Sequence, residues 1–147
     1  MPARLPLAAA FALLLSGCGG DGKPPAVPAG GKVMYRKTAP PEGALVVFHP
    51  ADPAAEKRVG GKPFGKVGAD GTFRLTTYAA GDGAPEGEYG VTVDWQPKPK
   101  KESKFSLGGE GAGGASVLNP KYSNPQKPFA TVTVKRGQPN EFAFDVD

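Results

Sequence analysis

Few side chains in this chain have types or spacings that could do chemistry. There is one histidine, His49, and one cysteine, Cys18. A single histidine rules out a two-histidine zinc cluster. A Ser-His-Asp arrangement would have to use His49, which sits before Pro50 at the end of an apolar run, and no serine lies in a Gly-x-Ser-x-Gly turn. Gly109-Glu110-Gly111-Ala112-Gly113-Gly114 matches G-x-G-x-x-G, but a dinucleotide site needs a strand before it and a helix after it. Lys104-Phe105-Ser106-Leu107-Gly108 and the nearby Pro120 provide neither, so the match reads as a loop. Asp70 in Gly68-Ala69-Asp70-Gly71 has no second carboxylate beside it. Calcium takes roughly 6–8 oxygens, and Asp-Gly already suits a tight turn. No catalytic set, metal site or cofactor is therefore expected. The one charge cluster is Lys98, Lys100, Lys101 and Lys104, broken by Pro97, Pro99 and Glu102. It reads as a solvated loop, or as a contact for anionic lipid head groups or acidic polysaccharide. Aromatic residues are not interleaved as in binders of single-stranded nucleic acid, so no nucleic-acid partner is expected.

The chemistry that does stand out is at Cys18. An apolar run, Leu5 to Leu15, follows Arg4 and ends in the small pair Ser16-Gly17. A positive start, a short apolar run and small residues at a cut make a secretory signal. Its 11 residues fall short of the roughly 20 that a membrane span needs. A lone cysteine cannot form an intramolecular disulfide in the oxidising compartment to which export leads. Leu15-Ser16-Gly17-Cys18 resembles the lipobox of bacterial lipoproteins. That resemblance implies diacylglycerol on the Cys18 sulfur, cleavage before Cys18, and acylation of the new amine by a fatty acid such as palmitate. An ordinary cleaved signal followed by an incidental cysteine is the rival reading.

With residues 1–17 removed, 130 residues remain and the formal charge falls from +4 to +3. That length allows one domain. Mild basicity permits anionic lipid or polysaccharide partners without requiring nucleic acid. Glycine (22) and proline (17) make up about 27 per cent of the chain, a level at which irregular segments are expected. They are densest in residues 18–31, read as a flexible tether, and residues 96–129 read as a long Lys-, Gly- and Pro-rich loop.

Between them the pattern is β. Lys32 to Tyr35 is a short strand. Ala44 to His49 is the clearest one, with Ala44, Val46 and Phe48 on the core face. Ala51 to Pro63 reads as a polar loop with at most a helical turn at residues 54–57. Phe64 to Val67 and Thr72 to Thr77 flank the Asp70-Gly71 hairpin turn. Gly87 to Trp95 puts Tyr89, Val91, Val93 and Trp95 on one face and is the best central strand. Ala130 to Lys135 and Glu141 to Val146 make a final pair. About seven short strands and no convincing helix suggest a β-sandwich, although an open sheet or partly closed barrel has the same spacing.

Gly31-Lys32-Val33, Gly43-Ala44-Leu45-Val46-Val47-Phe48, Asp70-Gly71-Thr72-Phe73 and Gly87-Glu88-Tyr89-Gly90-Val91 occur in an order that resembles the carboxypeptidase regulatory-like domain. Leu118-Asn119-Pro120-Lys121-Tyr122 followed by Thr131-Val132-Thr133-Val134 resembles the tail of small bacterial envelope lipoproteins carrying such a domain. The resemblance covers residues 31–147. It implies an all-β, seven-stranded antiparallel sandwich of transthyretin-like, Ig-like Greek-key type, and the long irregular insert before the last two strands departs from its compact form. It carries no catalytic residues. The expected protein is a non-enzymatic domain over residues 32–147, held through lipid on Cys18 at the periplasmic face of a membrane or the cell surface. It would act as an interaction or structural module with an envelope protein partner. The alternative is envelope or extracellular glycan binding through Lys98, Lys100, Lys101 and Lys104.

Overall fold

The alternating segments form strands, and their apolar sides meet in one core. The computed structural model describes residues 22–97 and 115–147. The elements are β1 (Ala26–Val27), β2 (Gly30–Tyr35), β3 (Leu45–Pro50), α1 (Pro53–Val59), β4 (Phe64–Lys66), β5 (Thr72–Arg74), β6 (Ala84–Pro85), β7 (Gly87–Asp94), a 3-10 turn (Pro120–Tyr122), β8 (Ala130–Val134) and β9 (Glu141–Val146). They make a four-stranded sheet in the order β4-β3-β7-β8, a three-stranded sheet in the order β5-β2-β9, and a two-stranded ribbon of β1 and β6. The described chain is mostly β with a single α-helix.

Val46 and Phe48 on β3 and Val91 and Val93 on β7 are fully buried, as expected from their alternation. Val46 lies opposite Val93, and Phe48 opposite Val91. From the three-stranded sheet come Val33, Phe73 and Val146, also buried. Phe48 joins the two sheets, with its ring centroid 6.4 Å from that of Phe73, 5.8 Å from Tyr89 and 5.7 Å from Phe142. Burying each Val or Phe side chain contributes about 1.5–3 kcal/mol, so this cluster is the main source of stability. The buried Tyr89 hydroxyl donates to the Pro85 carbonyl at 2.7 Å, and burial pushes its pKa up to about 12. β7 is central as expected, with β3 on one side and β8 on the other.

Several expectations are corrected. The sheets are not wholly antiparallel, because β2 and β9 run parallel from Gly30↔Glu141 to Tyr35↔Val146. A side chain at Gly31 would collide with the Phe142 carbonyl, so glycine is what lets β9 come this close. The last two strands do not pair with each other. β8 pairs with β7 and β9 with β2, so the chain crosses from one sheet to the other at residues 135–140. The Asp70-Gly71 turn forms, with Asp70 Oδ1 accepting from the Thr72 N–H at 3.0 Å and its hydroxyl at 2.7 Å. Yet it also joins the two sheets, β4 lying in one and β5 in the other, with a single bridge at Phe64↔Thr76.

A helix stands where a loop was expected. Asp52 caps α1 by accepting from the Ala54 N–H at 2.9 Å, Pro53 opens the helix, and Gly60 closes it at φ 81°. The helix has seven residues and only Val59 is buried, too little for an apolar period to show.

The segment expected as a tether through Gly31 is strand from Ala26 onward, because Ala26–Val27 pairs with Ala84–Pro85 and Gly30 pairs in β2. Further ties hold this segment. The Tyr78 hydroxyl donates to the Pro24 carbonyl at 2.8 Å, and the Lys23 ammonium lies 5.6 Å from the Tyr78 ring centre. The loop carrying Tyr78 is itself fixed by Asp82, which accepts from the backbone N–H groups of Thr77 (2.7 Å), Tyr78 (2.9 Å) and Ala79 (3.0 Å). Burial alone would raise the Asp82 pKa, but these donors hold it below the usual carboxylate value.

Candidate functional site

The described part of the long loop is not irregular throughout. Asn119 Oδ1 accepts from the Lys121 N–H at 3.1 Å and opens the 3-10 turn, with Pro120 at its first position. The turn sends Leu118 and Tyr122 into the core. The Tyr122 ring meets Phe129 edge-on at 5.1 Å, and Phe129 meets Phe144 at 5.6 Å.

Over this aromatic row lies an open groove of about 570 Å³, lined by Lys121, Tyr122, Asn124, Lys127, Pro128, Phe129 and Asp145. Its charges are partly committed. Lys121 Nζ sits 2.9 Å from Asp147 Oδ1 and 4.7 Å from the Tyr122 ring centre, and the Tyr122 hydroxyl donates to the same carboxylate. The bond to Asp147 and then that to Tyr122 raise the Lys121 pKa. The Tyr122 and Lys121 bonds lower that of Asp147. Asp145 Oδ1 accepts from the Lys37 N–H at 2.9 Å. Lys127 makes no ion pair among the described residues. The groove thus offers one ammonium, one amide, the Asp145 carboxylate and apolar edges. That set can hold a polar or anionic group weakly, but it brings no nucleophile and base together.

His49 is on the other face of β3, away from the core. Its Nε2 lies 2.8 Å from the Thr92 hydroxyl. Burial, and then the positive charge of Lys62, lower its pKa, with Glu56 opposing. Both effects favour the neutral imidazole. A threonine beside a neutral histidine has two members of a nucleophilic arrangement, but no carboxylate hydrogen-bonds to the ring among the described residues.

Compared with known proteins, the chain matches no family model, no curated protein and no solved structure.

Cys18 and Lys98, Lys100, Lys101 and Lys104 lie outside the described residues. Tyr89 is core, and Trp95 is half-buried, its indole N–H donating to the Glu42 carbonyl at 3.0 Å. Asp70 serves its turn. Among the described residues no group of three His, Cys, Asp or Glu side chains could hold a metal, and no helix is long and apolar enough to cross a membrane. The groove residues Lys121, Tyr122, Lys127 and Asp145 were not legible as a set. Three of them lie in the loop before β8 and Asp145 lies on β9, and no motif joins the two.

Proposed function

We propose that the chain is a lipid-anchored, non-catalytic protein of the bacterial envelope whose domain serves as an interaction or structural module. The observation that carries this reading is one of placement. The first strand begins at Ala26, eight positions after the cysteine of the lipobox-like Leu15-Ser16-Gly17-Cys18. In this reading the two larger sheets form a sandwich of the carboxypeptidase regulatory-like kind. The side chains bonding to backbone at Asp52, Asp70 and Asp82 serve turns and caps rather than a reaction. The non-catalytic part is tested by assaying the full chain against ester and glycoside substrates. Hydrolysis that disappears in His49→Ala would overturn it; no activity in either protein is expected.

One observation favours glycan or anionic-polymer binding as a second reading. The Val117 N–H bonds to the Trp95 carbonyl at 2.9 Å, so the two ends of the segment carrying Lys98, Lys100, Lys101 and Lys104 leave the domain side by side. Four ammonium groups in one segment between those ends suit an acidic polymer. Under this reading, retention on an acidic polysaccharide column falls to that of a neutral column when all four lysines become serine. Retention that survives the change removes the loop from consideration.

A further inference from the structure

We propose that β8 is a self-complementary docking edge through which two copies of this chain pair antiparallel about a twofold axis at Val132. The inference rests on strand geometry and is independent of the anchor and of the glycan reading.

β8 ends the four-stranded sheet, and hydrogen-bond parity shows what it presents. The Phe48 N–H bonds to the Pro63 carbonyl and the Ala51 N–H to the Glu88 carbonyl. Along β7, even-numbered residues therefore bond toward β3 and odd-numbered ones toward β8. Gly87, Tyr89 and Val91 face Val134, Val132 and Ala130. The backbone N–H and C=O groups of Thr131 and Thr133 consequently point away from the sheet. Neither residue has any other backbone partner among the described residues, and both are exposed.

The next outward-facing residue is Lys135, and there the edge is closed. Asn140 Oδ1 accepts from the Lys135 N–H at 3.0 Å and its Nδ2 donates to the Lys135 carbonyl at 3.0 Å. Nδ2 also donates to the Pro28 carbonyl at 3.1 Å, and Asn140 is only 7% exposed. Its amide takes the place that a neighbouring strand would fill. The open edge is thereby trimmed to Thr131 and Thr133.

Edge strands are ordinarily blocked by charge, proline, bulges or shortness. β9 carries Glu141 and Asp145, and β4 and β5 have three residues each, with Lys66 and Arg74. β8 is Ala-Thr-Val-Thr-Val, with none of these devices.

The trimmed edge selects the occupant. With the twofold at Val132, each Thr131 meets the partner's Thr133 and both pairs exchange hydrogen bonds, while Val132 faces its own copy on the core side. Moving the axis to Thr131 pairs Thr133 with the partner's Phe129, which lies before the strand begins at Ala130. Moving it to Thr133 pairs Thr131 with a Lys135 backbone that Asn140 already occupies. Only the Val132 register pairs both open residues with each other, and it is isologous.

Position 132 gives a direct test, because facing residues of a non-hydrogen-bonded antiparallel pair lie about 4.5 Å apart at Cα, within disulfide reach. The full chain carrying Cys18→Ser and Val132→Cys is oxidised in detergent micelles beside a Cys18→Ser, Ala143→Cys control on the β9 edge. Position 132 should link most of the protein into a species of twice 15.1 kDa, and position 143 little. Adding Thr131→Lys and Thr133→Lys should reduce linkage to the control level, because like charges then face each other. Adding Thr131→Glu and Thr133→Lys instead should restore it. Linkage at position 132 no greater than at 143, or unchanged by the double lysine variant, overturns the proposal.

Discussion

Val93→Asp should abolish the folded domain. Val93 is fully buried near the end of β7, directly opposite the equally buried Val46. The change removes the burial of a valine, about 1.5–3 kcal/mol, and places a carboxylate in a core that holds no charged side chain among the described residues. An uncompensated buried charge adds several kcal/mol, and domains of this size have about 5–15 kcal/mol in all. Val46→Asp should do the same from the facing strand. Leu45→Ser is the control. Leu45 alternates with Val46 but is 37% exposed on the outer face, so it should cost on the order of 1 kcal/mol or less. Circular dichroism and urea unfolding read all three. A Val93→Asp protein with a cooperative transition near that of the parent would refute the assignment of faces.

The second large effect belongs to Cys18→Ser. On the proposed anchor, the thiol is the only acceptor for the diacylglycerol, so fatty-acid labelling should fall to background. Stable attachment takes two acyl chains, since one chain alone gives only marginal binding, and the variant should lose the lipid-dependent hold on the membrane altogether. The domain should remain folded, because its first strand begins at Ala26. Label that persists in Cys18→Ser would defeat the anchor. A chain that is unlabelled in both forms would favour the rival reading of an ordinary cleaved signal.

The strands were legible where alternation was strong. Val46 and Phe48 on β3, and Tyr89, Val91 and Val93 on β7, declare their buried side through a period of two, and both strands sit in the sheet interior. Alternation says nothing about partners. β8 and β9 look like a hairpin because only Lys135 to Asn140 separates them, yet each joins a different sheet, and the pairing of β9 with β2 spans most of the chain. Local pattern cannot report such a contact. The helix α1 escaped because a single buried residue, Val59, leaves no period to count, although Asp52-Pro53 and Gly60 carried the capping signals. At the N-terminus, Gly and Pro composition suggested a tether, but Ala26–Val27 pairs through its backbone, which composition does not see. Of the candidate site, the sequence displayed the charged cluster and the cysteine. The Asn140 cap on Lys135 is local, but neither alternation nor composition marks it, and the groove needs Asp145 of β9 beside a loop that has no period to read.

The fastening of Pro24 by Tyr78 and of Ala26–Val27 by β6 changes how far an anchored copy could travel. A tether running to Gly31 would have reached roughly 40 Å at about 3.3 Å per residue. With the leash ending at Pro24, six peptide steps from Cys18 reach roughly 20 Å. On the proposed anchor, a domain on so short a leash would move as a raft in the plane of the membrane rather than as a float above it. Copies confined to that thin layer meet at a far higher local concentration than the same number free in solution. A β8 edge with only two residues to offer gains most from such crowding into two dimensions.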